Sequence, residues 1–148
     1  MNALQNIAYT AKATATGGRE GIAKSDDDRL NVTLSIPIPV PVPKGLSGDD
    51  GRDTNPEQLF AAGYAACFIG ALKFVAGQEK RSLPSDTHIN SEVSTGAIDG
   101  VFGIKVKLEV SLGHMDKTEA QTMVDKAHLV CPYSDATRGN IEVTLSVI

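Results

Sequence analysis

Apolar and polar positions alternate along the first part of the chain. Ile7, Tyr9, Ala11, Ala13 and Ala15 fall on one face of an extended segment, and Thr10, Lys12, Thr14 and Thr16 on the other. A glycine-rich turn, Gly17-Gly18-Arg19-Glu20-Gly21, leads to a weaker strand around Ile22 to Ser25. After the turn-like Asp26-Asp27-Asp28-Arg29, Leu30, Val32, Leu34 and Ile36 alternate with Asn31, Thr33 and Ser35. Period two over such lengths predicts strands with one buried face, here a small antiparallel meander. The run Ile36 to Pro43 places a proline at every second position, and each proline lacks a ladder N–H. It is expected to be an extended edge segment packed on something, with a second subunit one option, and Lys44 to Thr54 a surface loop.

The period changes at Asn55. Asn55 is a natural N-cap, Pro56 suits the first helical position, and Gln58 completes a capping-box pattern. The helix is predicted to run to about Gln78, with Arg81 to Asp86 closing it. Phe60, Gly63, Cys67, Gly70, Phe74 and Gly77 recur at spacings of three and four, a stripe of mostly small residues where another backbone can approach.

Beyond it, Ile89 and Val93 alternate with Asn90, Glu92 and Ser94, and a loop through Gly96 and Gly100 is expected. The clearest strand follows, with Phe102, Ile104, Val106, Leu108, Val110 and Leu112 on one face. A second helix should start at Asp116, bury Ala120, Met123, Val124 and Ala127, and end near Cys131-Pro132, because proline cannot continue it. Tyr133 to Asn140 reads as a loop, and Ile141, Val143, Leu145 and Val147 as a last strand. Meander, helix, hairpin, helix and strand make an α+β chain rather than alternating βαβ, and 148 residues suit a single domain over 1–148.

Composition narrows the function classes. The net charge is −4 and aromatics are 5%, with no basic cluster, so neither phosphate binding nor base stacking is supported and nucleic acid is not an expected partner. The uncharged stretch Gln58 to Leu72 is shorter than the roughly 20 apolar residues a bilayer demands, so it reads as a buried helix and no membrane association is expected. With no basic start followed by an apolar run at Met1 to Thr16, the expected location is cytoplasmic.

In that reducing compartment the two cysteines, Cys67 and Cys131, are either inert packing residues or chemistry. A reactive cysteine needs its thiolate stabilised. Cys67 lies too far into its helix for the dipole to help, so a positive side chain must come from elsewhere. Arg19, Arg29, Arg52, Arg81 and Arg138 are all available, and spacing does not choose among them, although Arg19 sits in a turn whose glycines admit unusual backbone angles. Glu57 suits the first helical turn, but it stands roughly 15 Å along the axis from Cys67. Both can serve one site only through an intermediary such as an arginine, or across two subunits. His128 and Cys131 supply two of the three or four ligands zinc needs, and no C-x-x-C is present. A Cys–His hydrolase using His88, His114 or His128 lacks a recognisable signature.

Two segments carry a resemblance. Asn55-Pro56-Glu57-Gln58-Leu59-Phe60-Ala61-Ala62-Gly63-Tyr64-Ala65-Ala66-Cys67-Phe68 resembles the first cysteine helix of the Ohr/OsmC family. Val130-Cys131-Pro132-Tyr133-Ser134-Asp135-Ala136-Thr137-Arg138-Gly139-Asn140 resembles its second cysteine motif, in the form found in the organic hydroperoxide resistance (Ohr) branch. The likeness extends over nearly the whole chain, including the Gly-Gly-Arg-Glu-Gly turn and the proline run. Asp135 departs from it, standing where asparagine is common and adding a negative charge near Cys131.

The resemblance implies an OsmC-like fold, with antiparallel sheets, a long central cysteine-bearing helix and a second helix, in an intertwined homodimer. It implies a thiol peroxidase with no bound cofactor, in which Cys67 is the peroxidatic cysteine, Cys131 resolves it as a disulfide, and Arg19 and Glu57 form the active-site pair. The implied substrate is an organic hydroperoxide, and the implied reductant is dihydrolipoamide or a lipoylated protein. A non-enzymatic redox-sensing stress protein would use the same two thiols, reacting once and stopping.

Overall fold

The computed structural model describes residues 3–37 and 53–148. They fall into two compact units, Met1–Pro56 and Glu57–Ile148. Residues 38–52 of the proline run and loop lie outside the described residues, as does Arg52.

The first unit is the expected meander. Strands β1 (Ala13–Thr16), β2 (Ile22–Ser25) and β3 (Asn31–Thr33) form an antiparallel sheet in that order. Paired strand starts only at Ala13, not at Ile7, and Ile7 and Tyr9 are exposed. The reason is the length of β2: its register ends at the Ala13–Ser25 pair, and Asp26 turns the chain away after one further backbone bond to Lys12. Leu34 and Ile36 are buried as the alternation requires. Ser35 is buried as well, its hydroxyl donating to the Asp53 carbonyl at 3.2 Å.

The second unit holds the core that positions both sulfurs. Helix α1 spans Pro56–Gln78, β4 His88–Ile98, β5 Val101–Ser111, α2 Lys117–Val130, α3 Pro132–Thr137 and β6 Val143–Val147. The α+β reading holds. The sheet is mixed: β4 and β5 pair antiparallel, whereas β6 runs parallel to β5, because the helical crossover through α2 and α3 returns the chain to the starting end of β5. Where a loop through Gly96 and Gly100 was expected, β4 continues to Ile98 and only Asp99-Gly100 turns the chain. Both turn residues have positive φ (40° and 88°), the two-residue geometry that matches strand twist.

Val106, Leu108 and Val110 on β5 meet Tyr64, Phe68, Leu72 and Val75 of α1 and Met123 and Val124 of α2 in one core. Burying one such aliphatic side chain contributes roughly 1.5–3 kcal/mol. The buried face of β5 loses its cover at the hairpin end, where Phe102 is 89% exposed beside Val101 and Ile98. Ala120, Met123, Val124 and Ala127 are buried as predicted, and Asp116 caps α2 by accepting from the backbone N–H groups of Thr118 and Glu119. By length and composition α1 is apolar enough to cross a membrane, and its Tyr64, Phe68, Leu72 and Val75 are core residues of this unit.

Helix α1 ends as predicted, in a Schellman arrangement. Lys80 takes a left-handed φ of 56°, with Lys80 N–H donating to the Gly77 carbonyl and Arg81 N–H to that of Ala76. Arg81 then pairs with Glu119, and Lys126 with Glu79, tying the end of α1 to α2.

Candidate functional site

The buried face of α1 runs through Tyr64, Phe68, Ala71, Leu72, Val75 and Ala76. The small-residue stripe lies beside it, so Gly70, Phe74 and Gly77 are at the surface. A helix apolar on nearly every side does not reveal by its period which line goes inward. Close approach through a missing side chain occurs at Gly63 alone of the stripe's three glycines: a Cβ there would stand 3.1 Å from the Tyr133 hydroxyl, and one at Gly70 or Gly77 would meet nothing within 4 Å. Cys67, one turn after Tyr64, sits at the margin of the buried face and is half-buried.

Cys131 occupies the corner between α2 and α3. Its backbone is extended (φ −71°, ψ 124°), which ends one helix and starts the next. Its N–H donates to the Ala127 carbonyl and its own carbonyl accepts from Asp135 N–H, both at 2.9 Å. Pro132, expected only to stop α2, also begins α3 at the first helical position, where its missing N–H costs nothing. The predicted loop after Tyr133 is therefore a helical turn to Thr137. Arg138 closes the corner, donating through Nη2 to the His128 carbonyl at 2.7 Å and through Nη1 to Asp135 at 3.2 Å. The Asp135 carboxylate thus pairs with Arg138 on the exposed side of the turn.

These two elements bring the sulfurs together. Cys131 Sγ lies 3.8 Å from Cys67 Sγ, with both thiols reduced. Cys131 is wholly buried, whereas Cys67 opens into a cavity of about 430 Å³ lined by Gly70, Ala71, Phe74, Val130 and Pro132. The cavity wall is apolar. Burial pushes the Cys67 thiol up, and the neighbouring sulfur acts in the same direction; the Tyr133 backbone N–H, donating to the Cys67 sulfur, opposes them. A larger cavity, about 560 Å³, is lined by Phe60, Phe102, Tyr133 and Ile141 among others and includes neither sulfur.

Sequence reasoning missed what joins the two helices. Tyr64, wholly buried, places its hydroxyl 3.0 Å from Ser134 Oγ and 3.2 Å from Thr137 Oγ1. Phe60, Tyr64 and Tyr133 stack edge and tilt with ring centroids 5.5–6.0 Å apart. Tyr64 one turn before Cys67 and Ser134 one turn after Cys131 were the available signal.

Arg19 lies in an exposed 3-10 turn (Gly18–Glu20) of the first unit, entered through Gly17 with φ 69°. Glu57 is half-buried in the first turn of α1, in the second unit. Among the described residues no three His, Cys, Asp or Glu side chains converge as metal ligands. Burial and the Arg138 charge hold the His128 imidazole below its ordinary range.

The two thiols, 3.8 Å apart with one member open to an apolar cavity, make up the candidate site. The OsmC-like protein profile matches residues 48–146, and the chain belongs to that family. Within it, similarity is to the organic hydroperoxide resistance branch. The chain is 57% identical over 147 residues to the organic hydroperoxide resistance protein of Xanthomonas axonopodis pv. citri, covering 99% of each. It is 45% identical over 139 residues to the organic hydroperoxide resistance protein OhrB of Bacillus subtilis, covering 94% of this chain and 97% of that one. Among solved structures, an organic hydroperoxide resistance protein from Legionella pneumophila superposes with a TM-score of 0.83 at 44% identity, over 96% of this chain and 98% of the other. These relatives support a role in organic hydroperoxide resistance.

Proposed function

We propose that the chain is a thiol peroxidase that reduces organic hydroperoxides to alcohols. The observation carrying this reading is the 3.8 Å separation of Cys67 and Cys131, with only Cys67 open to a cavity. The Cys67 thiolate attacks one peroxide oxygen, the O–O bond breaks, and the alkoxide leaves as the alcohol after taking a proton. Cys67 becomes a sulfenic acid. Cys131 then attacks the Cys67 sulfur, the S–O bond breaks, and water departs. A disulfide needs sulfurs about 2.05 Å apart, so the pair closes by a movement of roughly 1.8 Å.

Arg19, steadied by Glu57 in a charge-assisted pair, stabilises the thiolate and the developing alkoxide. Burial raises the Cys67 thiol and a backbone hydrogen bond from Tyr133 offsets this only in part, so a reactive Cys67 needs a further source of positive charge. Family resemblance supports the choice of arginine, an intertwined homodimer, a cytoplasmic setting, and dihydrolipoamide or a lipoylated protein as the reductant, acting by thiol exchange. The apolar walls of the Cys67 cavity suit an organic tail better than hydrogen peroxide.

The test is a lipoamide-coupled assay over alkyl, lipid and hydrogen peroxides. Sustained turnover, highest with organic hydroperoxides, is the expected result. Reaction that stops after one equivalent overturns the enzyme reading in favour of a redox sensor, and titratable thiols remaining after treatment overturn both.

A further inference from the structure

Three hydroxyls buried between α1 and α3 admit one economical arrangement of their hydrogens. Thr137 Oγ1 lies 2.8 Å from the Tyr133 carbonyl and gives its single proton there. Facing Tyr64 it must then accept, so the Tyr64 hydroxyl donates to Thr137 and accepts from Ser134. The chain Ser134, Tyr64, Thr137, Tyr133 carbonyl leaves none of the three hydroxyls unpaired. It ends on Tyr133, the second residue after Cys131. Its anchor on α1 is one turn before Cys67, and its anchors on α3 follow Cys131 in the same short helix.

We propose that Tyr64 is a positioning residue for disulfide closure: its hydroxyl, held between Ser134 and Thr137, fixes the first turn of α3 so that Cys131 stays within reach of Cys67. The inference rests on the peroxidase reading above. It concerns one step of it, the competition for the Cys67 sulfenic acid. Attack by Cys131 forms the S–S bond and expels water. Attack by the sulfenate on a second hydroperoxide instead transfers oxygen, giving sulfinic acid and alcohol. A turn free to drift lowers the first rate and leaves the second untouched.

Wild type, Tyr64→Phe and the double variant Ser134→Ala/Thr137→Val would be treated with graded tert-butyl hydroperoxide. Intact mass would count disulfide against sulfinic acid on Cys67, and the dithiol–disulfide equilibrium would be poised against dithiothreitol. Both variants should show about a fivefold rise in sulfinic acid relative to disulfide, the factor that loss of one typical hydrogen bond allows. Their equilibria should also shift toward the dithiol. A wild-type partition and equilibrium in both variants, including any case where only the thermal midpoint falls, overturns the proposal and assigns Tyr64 to stability alone. Failure of the wild type to form the disulfide sinks the peroxidase reading itself, and this inference with it.

Discussion

The sulfur of Cys131 stands 3.8 Å from that of Cys67, the one in the corner between two helices and the other at the margin of a third. A shift of roughly 1.8 Å brings the sulfurs to bonding distance. One equivalent of organic hydroperoxide should therefore convert two titratable thiols into one intramolecular disulfide while far-ultraviolet circular dichroism stays unchanged. Cys67→Ser should abolish turnover. Cys131→Ser should still react at Cys67 but accumulate sulfinic acid, seen as added oxygen by mass spectrometry. A Cys131→Ser protein with full lipoamide-coupled turnover would contradict the resolving role.

The pH dependence of Cys67 follows from its surroundings. Burial raises the thiol, so the neutral form is favoured in the fold. Its contribution to stability is complete below the unfolded thiol pKa and is lost as pH rises through the folded value. Reactivity has the opposite slope, since the thiolate is the nucleophile, and alkylation of Cys67 should accelerate with rising pH. If Arg19 supplies charge to that thiolate, Arg19→Met should move the alkylation profile to higher pH, with Glu57→Gln doing the same to a smaller extent. Coincident profiles for wild type and Arg19→Met would remove Arg19 from the site.

Lys80 holds a left-handed backbone at the end of α1, a conformation that costs a residue with a Cβ roughly 1–2 kcal/mol. Lys80→Gly removes that cost and adds some freedom to the unfolded chain. A net gain of about 0.5–1 kcal/mol is expected in urea unfolding, with the peroxidase assay unchanged.

Leu108 lies in the central strand, wholly buried among core residues of both long helices. Leu108→Ala should cost about 2–5 kcal/mol through lost contact and the cavity left behind. Denaturant midpoints measure it directly.

Much of this architecture was legible in the chain. The Asn55-Pro56 start and the Asp116 cap located both long helices, because capping chemistry is local and depends on a few side chains. Alternation located β5 for the same reason. The reach of β1 was not legible, since strand length depends on a partner elsewhere, and β2 gave out at Ser25. Nor was α3: Pro132 both forbids one helix and favours another, and the rule for stopping masked the rule for starting. The cysteines were visible as residues and, through their motifs, as a pair. Their spacing and the hydroxyl chain around Tyr64 were not, because the first joins positions 64 apart and the second positions 70 and 73 apart.

The unequal burial of the two sulfurs gives the pair a polarity. Solvent reaches Cys67 and not Cys131, so a dissolved thiol approaching the closed disulfide meets Cys67 first. On the peroxidase reading, exchange would then begin with a mixed disulfide on Cys67, and Cys131 would depart inward as the leaving thiolate. A bulky protein-borne dithiol and a small hydroperoxide would then have to use the same doorway in turn, and each would compete with the other's half-reaction at high concentration.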